Sequence, residues 1–226
     1  MATTHPTTAG PTAHLNHPDI QRAFRKAKIL VAAYGALSAA VLVTVAVLAR
    51  FALHGHLVDM YDGGQRGRDL SIDRGAARPA ADLREELRLA QQALEEAWGR
   101  LAPEDWRRPV RFRNATVLDT ALARCRETEI HAVDLAVGYR PRDWSLSFAL
   151  HALDFLAARA PAGVQLVLRA TDHPFARSLG TGSPVEVSGA VRDLAAWMAG
   201  RSVDGPLHTS ACALPEPGPW PPDPAD

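Results

Sequence analysis

An α+β fold is what this sequence predicts: an incomplete helical bundle, then a small α/β domain, with a hydrophobic helix ahead of both. Three observations carry that reading. Apolar residues recur at steps of three and four between residues 82 and 137. The period switches to two near residues 164–168 and 185–187. A run of 21 residues, Ile29 to Ala49, holds no charge at all.

The chain's 226 residues suffice for one substantial domain or two small ones. With 47% hydrophobic and 22% charged residues it is globular in composition, which argues against wholesale disorder. Twenty-five Lys plus Arg balance twenty-five Asp plus Glu, which argues against a nucleic-acid partner held by phosphate neutralisation. Two cysteines, Cys125 and Cys212, are too few for a disulfide scaffold or a Cys-rich zinc module. They fit a reducing compartment at least as well as an oxidising one.

Each element follows in order. Residues 1–18 are rich in Thr, Pro, His and Gly without an apolar period, and read as a disordered tail. Residues 19–53 form a hydrophobic helix with a basic flank of Arg22, Arg25, Lys26 and Lys28. About 20 helical residues rise roughly 30 Å, the thickness of a bilayer core. The run is apolar all round, so a transmembrane helix is the first expectation. A buried Ala-rich core helix and a signal peptide are the alternatives. The basic flank would keep the N-terminus in the cytoplasm and send the rest across.

His54-Gly55-His56 and Tyr61-Asp62-Gly63-Gly64 read as loop and turn. Asp82 is the expected N-cap of a first helix, with Glu85 completing a capping box. Leu83, Leu87, Ala90, Leu94, Ala97 and Leu101 form its stripe, and Pro103 to Pro109 break it. A second helix is expected from Thr116 to Val137, with Gly138 as its stop and Leu118, Leu122, Cys125, Ile130, Val133 and Val137 as its apolar face. A third runs from Ser145 to Ala160, ended by Pro161. Strands follow at Val164–Leu168 and Val185–Val187, then a helix over Val191–Gly200 and a Pro-rich tail over 211–226. The soluble part thus divides into a helical domain, 54–140, and an α/β domain, 145–210.

Chemistry concentrates on the second helix. Glu127 and His131 stand four apart, which places both side chains on one helical face, roughly 5–6 Å apart at Cβ. A carboxylate and an imidazole at that spacing can share one divalent ion. The same pair is also a common solvated one, and by 100° per residue it points away from the stripe through Leu118 and Leu122. Asp134 could hydrogen-bond a ligating imidazole or simply be solvated. Cys125 reads as a small core residue, His151 and His173 as histidines without partner spacing, and Trp98, Trp106, Trp144 and Trp197 as packing anchors.

The run Arg126-Glu127-Thr128-Glu129-Ile130-His131-Ala132-Val133-Asp134-Leu135, with Gly138-Tyr139 and Asp143-Trp144 after it, closely resembles the mycothiol-dependent maleylpyruvate isomerase family. Upstream, Met60-Tyr61, Arg68-Asp69, Ile72 and Gly75 to Pro79 are similar to its loop before the third bundle helix. Downstream, Pro184 to Gly189 and Asp193 to Arg201 look like its small C-terminal domain. The resemblance covers residues 58–208. It implies a DinB-like four-helix metal-binding bundle with an α/β domain behind it, a divalent metal such as Zn²⁺, and mycothiol as thiol cofactor. Glu127 and His131 fall on two of the family's three metal ligands.

The implied reaction is cis–trans isomerisation of maleylpyruvate to fumarylpyruvate by reversible thiolate addition to the double bond. Arg201 matches an arginine near the family's C-terminal end, suited to bidentate capture of a substrate carboxylate. Mycothiol is cytosolic, so the soluble domain is expected in the cytoplasm, against the topology that the basic flank favours.

The family's G-H-x-x-x-H-L-style motif, source of the third ligand, is absent, and the N-terminal part looks replaced by the uncharged run. Three arrangements would accommodate this. The run could act as a bundle helix with His54 or His56 reaching the metal; a second copy of the chain could complete the bundle as a homo-oligomer; or a membrane-type segment could be joined to a truncated, inactive remnant or binding protein. Another thiol S-transferase of the DinB superfamily is the further alternative, because a fold does not fix the substrate.

Overall fold

A computed structural model describes residues 66, 67, 70, 79–110, 115–136 and 138–220. The expected tail at 1–18, the hydrophobic helix at 19–53 with its membrane span, and His54 and His56 lie outside these residues. Among the described residues, no helix is long and apolar enough to cross a membrane. The chain divides into two compact units, with the change falling between His131 and Ala132.

In the first unit, helix α1 spans Ala80–Gly99. It begins earlier than expected, because Pro79 supplies a preset φ of −57° and its carbonyl accepts the Asp82 N–H at 3.1 Å. Asp82 therefore sits inside the first turn and is not the cap. Glu85 makes no capping box either; its carboxylate takes a forked bond from Arg88 at 2.7 and 2.9 Å. Leu87, Ala90 and Leu94 form the buried stripe.

The break after α1 is tied by Asp105, which accepts from the Ala102 N–H at 2.9 Å and from Arg108 at 2.6 Å. Beyond it Pro109 and Thr116 form an antiparallel bridge. Val110 and Val117 bury a small cluster there with Leu101, Trp106 and Ala115. Trp98 lies 6.1 Å from Trp106, ring to ring.

Helix α2 spans Val117–Asp134 and opens on a reciprocal box: Asp119 accepts from the Thr116 N–H and hydroxyl, and the Thr116 hydroxyl accepts from the Asp119 N–H. It ends short of the expected Val137–Gly138. Ala136 takes a left-handed φ of 53° and its N–H bonds the Val133 carbonyl, which closes the last turn.

The second unit is layered, with helices on one face of a sheet. Helix α3, Leu146–Phe155, is capped by the Ser145 hydroxyl, which accepts from the Phe148 N–H at 3.1 Å. A 3-10 turn, Leu156–Arg159, then runs up to Pro161. Strands β1 (Val164–Ala170), β2 (Ala176–Leu179), β3 (Ser183–Gly189) and β4 (His208–Thr209) order as β2-β1-β3-β4. β1 and β3 run parallel, from Val164 opposite Ser183 to Ala170 opposite Gly189, and the outer pairs are antiparallel. Helix α4, Val191–Met198, crosses back between β3 and β4.

Strand alternation puts Leu166, Leu168 and Val187 on the covered face with Phe148, Leu153, Leu156, Leu194 and Met198, all fully buried. Trp144 meets Phe148 edge-on at 5.2 Å. Gly182 has a φ of 134° and stands where a Cβ would come within 2.0 Å of the Gly163 carbonyl, so only glycine fits.

The Pro-rich stretch is not a free tail up to Trp220. The Gly218 N–H bonds the Arg159 carbonyl, and the Arg159 Nε–H bonds the Gly218 carbonyl, both at 2.7 Å. Truncating the fully buried Leu194 to alanine is expected to lower unfolding free energy by about 2–5 kcal/mol. Urea denaturation followed by circular dichroism checks this, and Gly182→Ala should also be destabilising by the same assay.

Candidate functional site

Most of α2's surface is covered. Val117, Ala121, Leu122, Cys125, Ile130 and Ala132 are buried, and so are Thr120, Arg124, Thr128 and Glu129. The two threonines satisfy themselves against the helix, Thr120 on the Val117 carbonyl and Thr128 on the Arg124 carbonyl. Arg124 and Glu129 are both engaged, as buried charges must be. The strip left open is Glu127, His131 and Asp134, at i, i+4 and i+7.

On that strip His131 Nε2 lies 3.3 Å from Glu127 Oε2, with the side chains 47% and 54% exposed. The hydrogen bond from His131 holds the Glu127 carboxyl below its ordinary 4.5, helped by the charges of His131, Arg124 and Arg126 and opposed by desolvation. The spacing also suits a metal. A tetrahedron with corners ~2.0–2.1 Å from its centre has edges of about 3.3–3.4 Å. The pair therefore fits two corners of a zinc-type site. Among the described residues, no group of three His, Cys, Asp or Glu side chains gathers to complete it.

Asp134 is tied to a distant arginine. Arg201, in the second unit, donates Nε–H to its Oδ1 at 2.8 Å and Nη2–H to its Oδ2 at 2.6 Å. Arg201 Nη1 donates to the Ala199 carbonyl at 2.7 Å. These two residues line a pocket of about 580 Å³ with Tyr139, Arg140, Gly200 and Ser202 among its walls. Arg140 is paired with Asp204. A guanidinium carries five N–H groups, so three bonds leave Arg201 two for a ligand carboxylate.

Tyr139, Arg140 and Ser202 were not singled out as site residues by sequence; Tyr139 entered only as part of the Gly138-Tyr139 resemblance. The link from Asp134 to Arg201 spans 67 residues and leaves no local signal. Cys125 is buried, and desolvation with the Glu129 charge pushes its thiol well above the usual range, so it is the core residue expected. His151 is buried in α3. Trp144 and Trp197 are buried as anchors.

Residues 36–136 match the family model described as the mycothiol maleylpyruvate isomerase N-terminal domain. The match begins inside the uncharged run. No curated protein matches the chain. Among solved structures, the chain is similar to a crystal structure of the mycothiol-dependent maleylpyruvate isomerase, with a TM-score of 0.70 and 22% identity over 89% of this chain and 97% of that one. A histidine-to-alanine variant of that enzyme matches with the same figures. At this identity the likeness establishes the fold.

Because the folded-state pKa of Glu127 is depressed, its pairing stabilises the protein above the ordinary 4.5, and that contribution is lost as pH falls through the lowered value. In His131→Ala the Glu127 carboxyl should titrate closer to 4.5, as read by carbon NMR of the side-chain carboxyl. The stability gap between the two proteins should narrow on acidification below that point.

Proposed function

We propose that the chain is a mycothiol- and metal-dependent cis–trans isomerase acting on maleylpyruvate or a similar electrophile, a reading supported by the match of residues 36–136 to the mycothiol maleylpyruvate isomerase N-terminal domain. One observation carries the reading: the Glu127–His131 pair occupies the single open strip of an otherwise covered helix, within the matched stretch. A helix that buries ten of its eighteen residues yet leaves a carboxylate and an imidazole 3.3 Å apart in the open is built to present them.

Glu127 and His131 would hold the divalent ion, with His54 or His56 as the third donor. This reading needs the uncharged run as part of the bundle, not as a membrane anchor, and the family match does begin within it, at residue 36. When bound, the ion would lower the pKa of the cofactor thiol, and the cofactor would supply the nucleophile for the isomerisation. Arg201 grips a substrate carboxylate with its two remaining N–H groups, and Asp134 fixes the guanidinium. A cytosolic thiol cofactor places the catalytic domain in the cytoplasm.

The purified chain should carry about one zinc, lost in His131→Ala, by elemental analysis. A chain that folds without zinc in both forms refutes the metal role. Arg201→Lys keeps the charge but loses the fork, and should raise KM for maleylpyruvate about tenfold or more in a mycothiol-supplemented isomerase assay. If the chain turns over other electrophiles with mycothiol and not maleylpyruvate, the S-transferase alternative replaces it.

A further inference from the structure

Arg201 is held by more than Asp134. The Trp220 ring lies against its guanidinium, with Cζ 5.5 Å from the ring centroid, and against that of Arg159 at 4.8 Å. Arg159 is itself fixed: it is buried, Nη1–H bonds the Met198 carbonyl at 2.6 Å, and Nε–H bonds the Gly218 carbonyl. Gly218 completes the tie through its own N–H, and a Cβ there would come within 3.3 Å of the Arg159 carbonyl oxygen. The C-terminal segment is thus strapped to the unit two residues before its tryptophan.

The contacts on Arg201 divide by direction. Asp134 and the Ala199 carbonyl accept from the guanidinium's N–H groups, which lie in its plane, and so they fix it in that plane. They resist tilting only weakly. An aromatic face at cation–π range resists it directly. Arg159 and Arg201 are also like charges, with the Asp134 carboxylate bonded to Arg201 and Arg159 donating to carbonyls; Arg159's pKa is lowered first by desolvation and then by the Arg201 charge. The negative face of the indole offsets that repulsion.

We propose that Trp220 is a positioning residue: the C-terminal strap presses its indole on Arg201 and sets the tilt at which the two remaining N–H groups meet a carboxylate in the pocket. The carboxylate half of this rests on the proposed function; the contact itself does not. It assigns work to a segment whose composition signals only a tail.

The test uses the full-length chain with Trp220→Ala and Trp220→Phe, the latter keeping an aromatic face. Two quantities are read: hydrogen exchange of the Arg201 Nε–H, assigned by its loss in Arg201→Lys, and the Kd for fumarate by calorimetry. In Trp220→Ala the exchange should quicken and the Kd rise, each about fivefold, with both near wild type in Trp220→Phe. Exchange within twofold of wild type in Trp220→Ala overturns the proposal, as does failure of the phenylalanine variant to rescue. If the wild-type chain binds no fumarate, Arg201 is not a carboxylate anchor and the proposed function is in difficulty, while the exchange comparison still confirms or overturns the Trp220 contact.

Discussion

The register of α2 is the constraint on which the rest turns. Arg124 and Glu129 are buried among its apolar residues, and a buried charge deprived of its partner costs several kcal/mol. One residue of rotation about the helix axis would turn every side chain by about 100°. That would pull both charges from their partners and push Glu127 towards the interior. Packing and electrostatics therefore select the same rotation. The open strip follows from that choice, and so does the spacing of the carboxylate and imidazole upon it.

The pocket of the second unit works on a different principle. Its two arginines are each already matched with an acid, Arg201 with Asp134 and Arg140 with Asp204. The neutralised walls offer directed N–H groups more than a broad positive field. The direction of each guanidinium's remaining N–H groups is set by the acid that holds it. The chain's overall neutrality is consistent with recognition by a few placed donors.

Much of this was legible beforehand because long periodic stretches reflect burial directly. The three- and four-residue steps located α1 and α2, and the alternation at 164–168 located β1. Ends were less legible. Pro79 displaced Asp82 as the start of α1, and a left-handed alanine ended α2 before Gly138. Strand β2 was missed because Ala176–Leu179 turns only Leu179 fully inward, and β4 because two residues make no pattern. The partners of Arg201 come from positions 134 and 220, and long-range pairing leaves no trace in local spacing. The Pro-rich end was misjudged for a related reason: composition averages over a segment, while a tryptophan against two arginines is a single contact.

Burial of Cys125 has a bearing on any chemistry with electrophiles. Its sulfur is kept protonated and away from water, whereas Cys212 is exposed. A reactive small molecule diffusing along this surface would meet no thiol in the helix that carries Glu127 and His131. Alkylation of sulfur in that helix is thereby suppressed, and of the two thiols Cys212, near the C-terminus, is the one open to a reactive ligand.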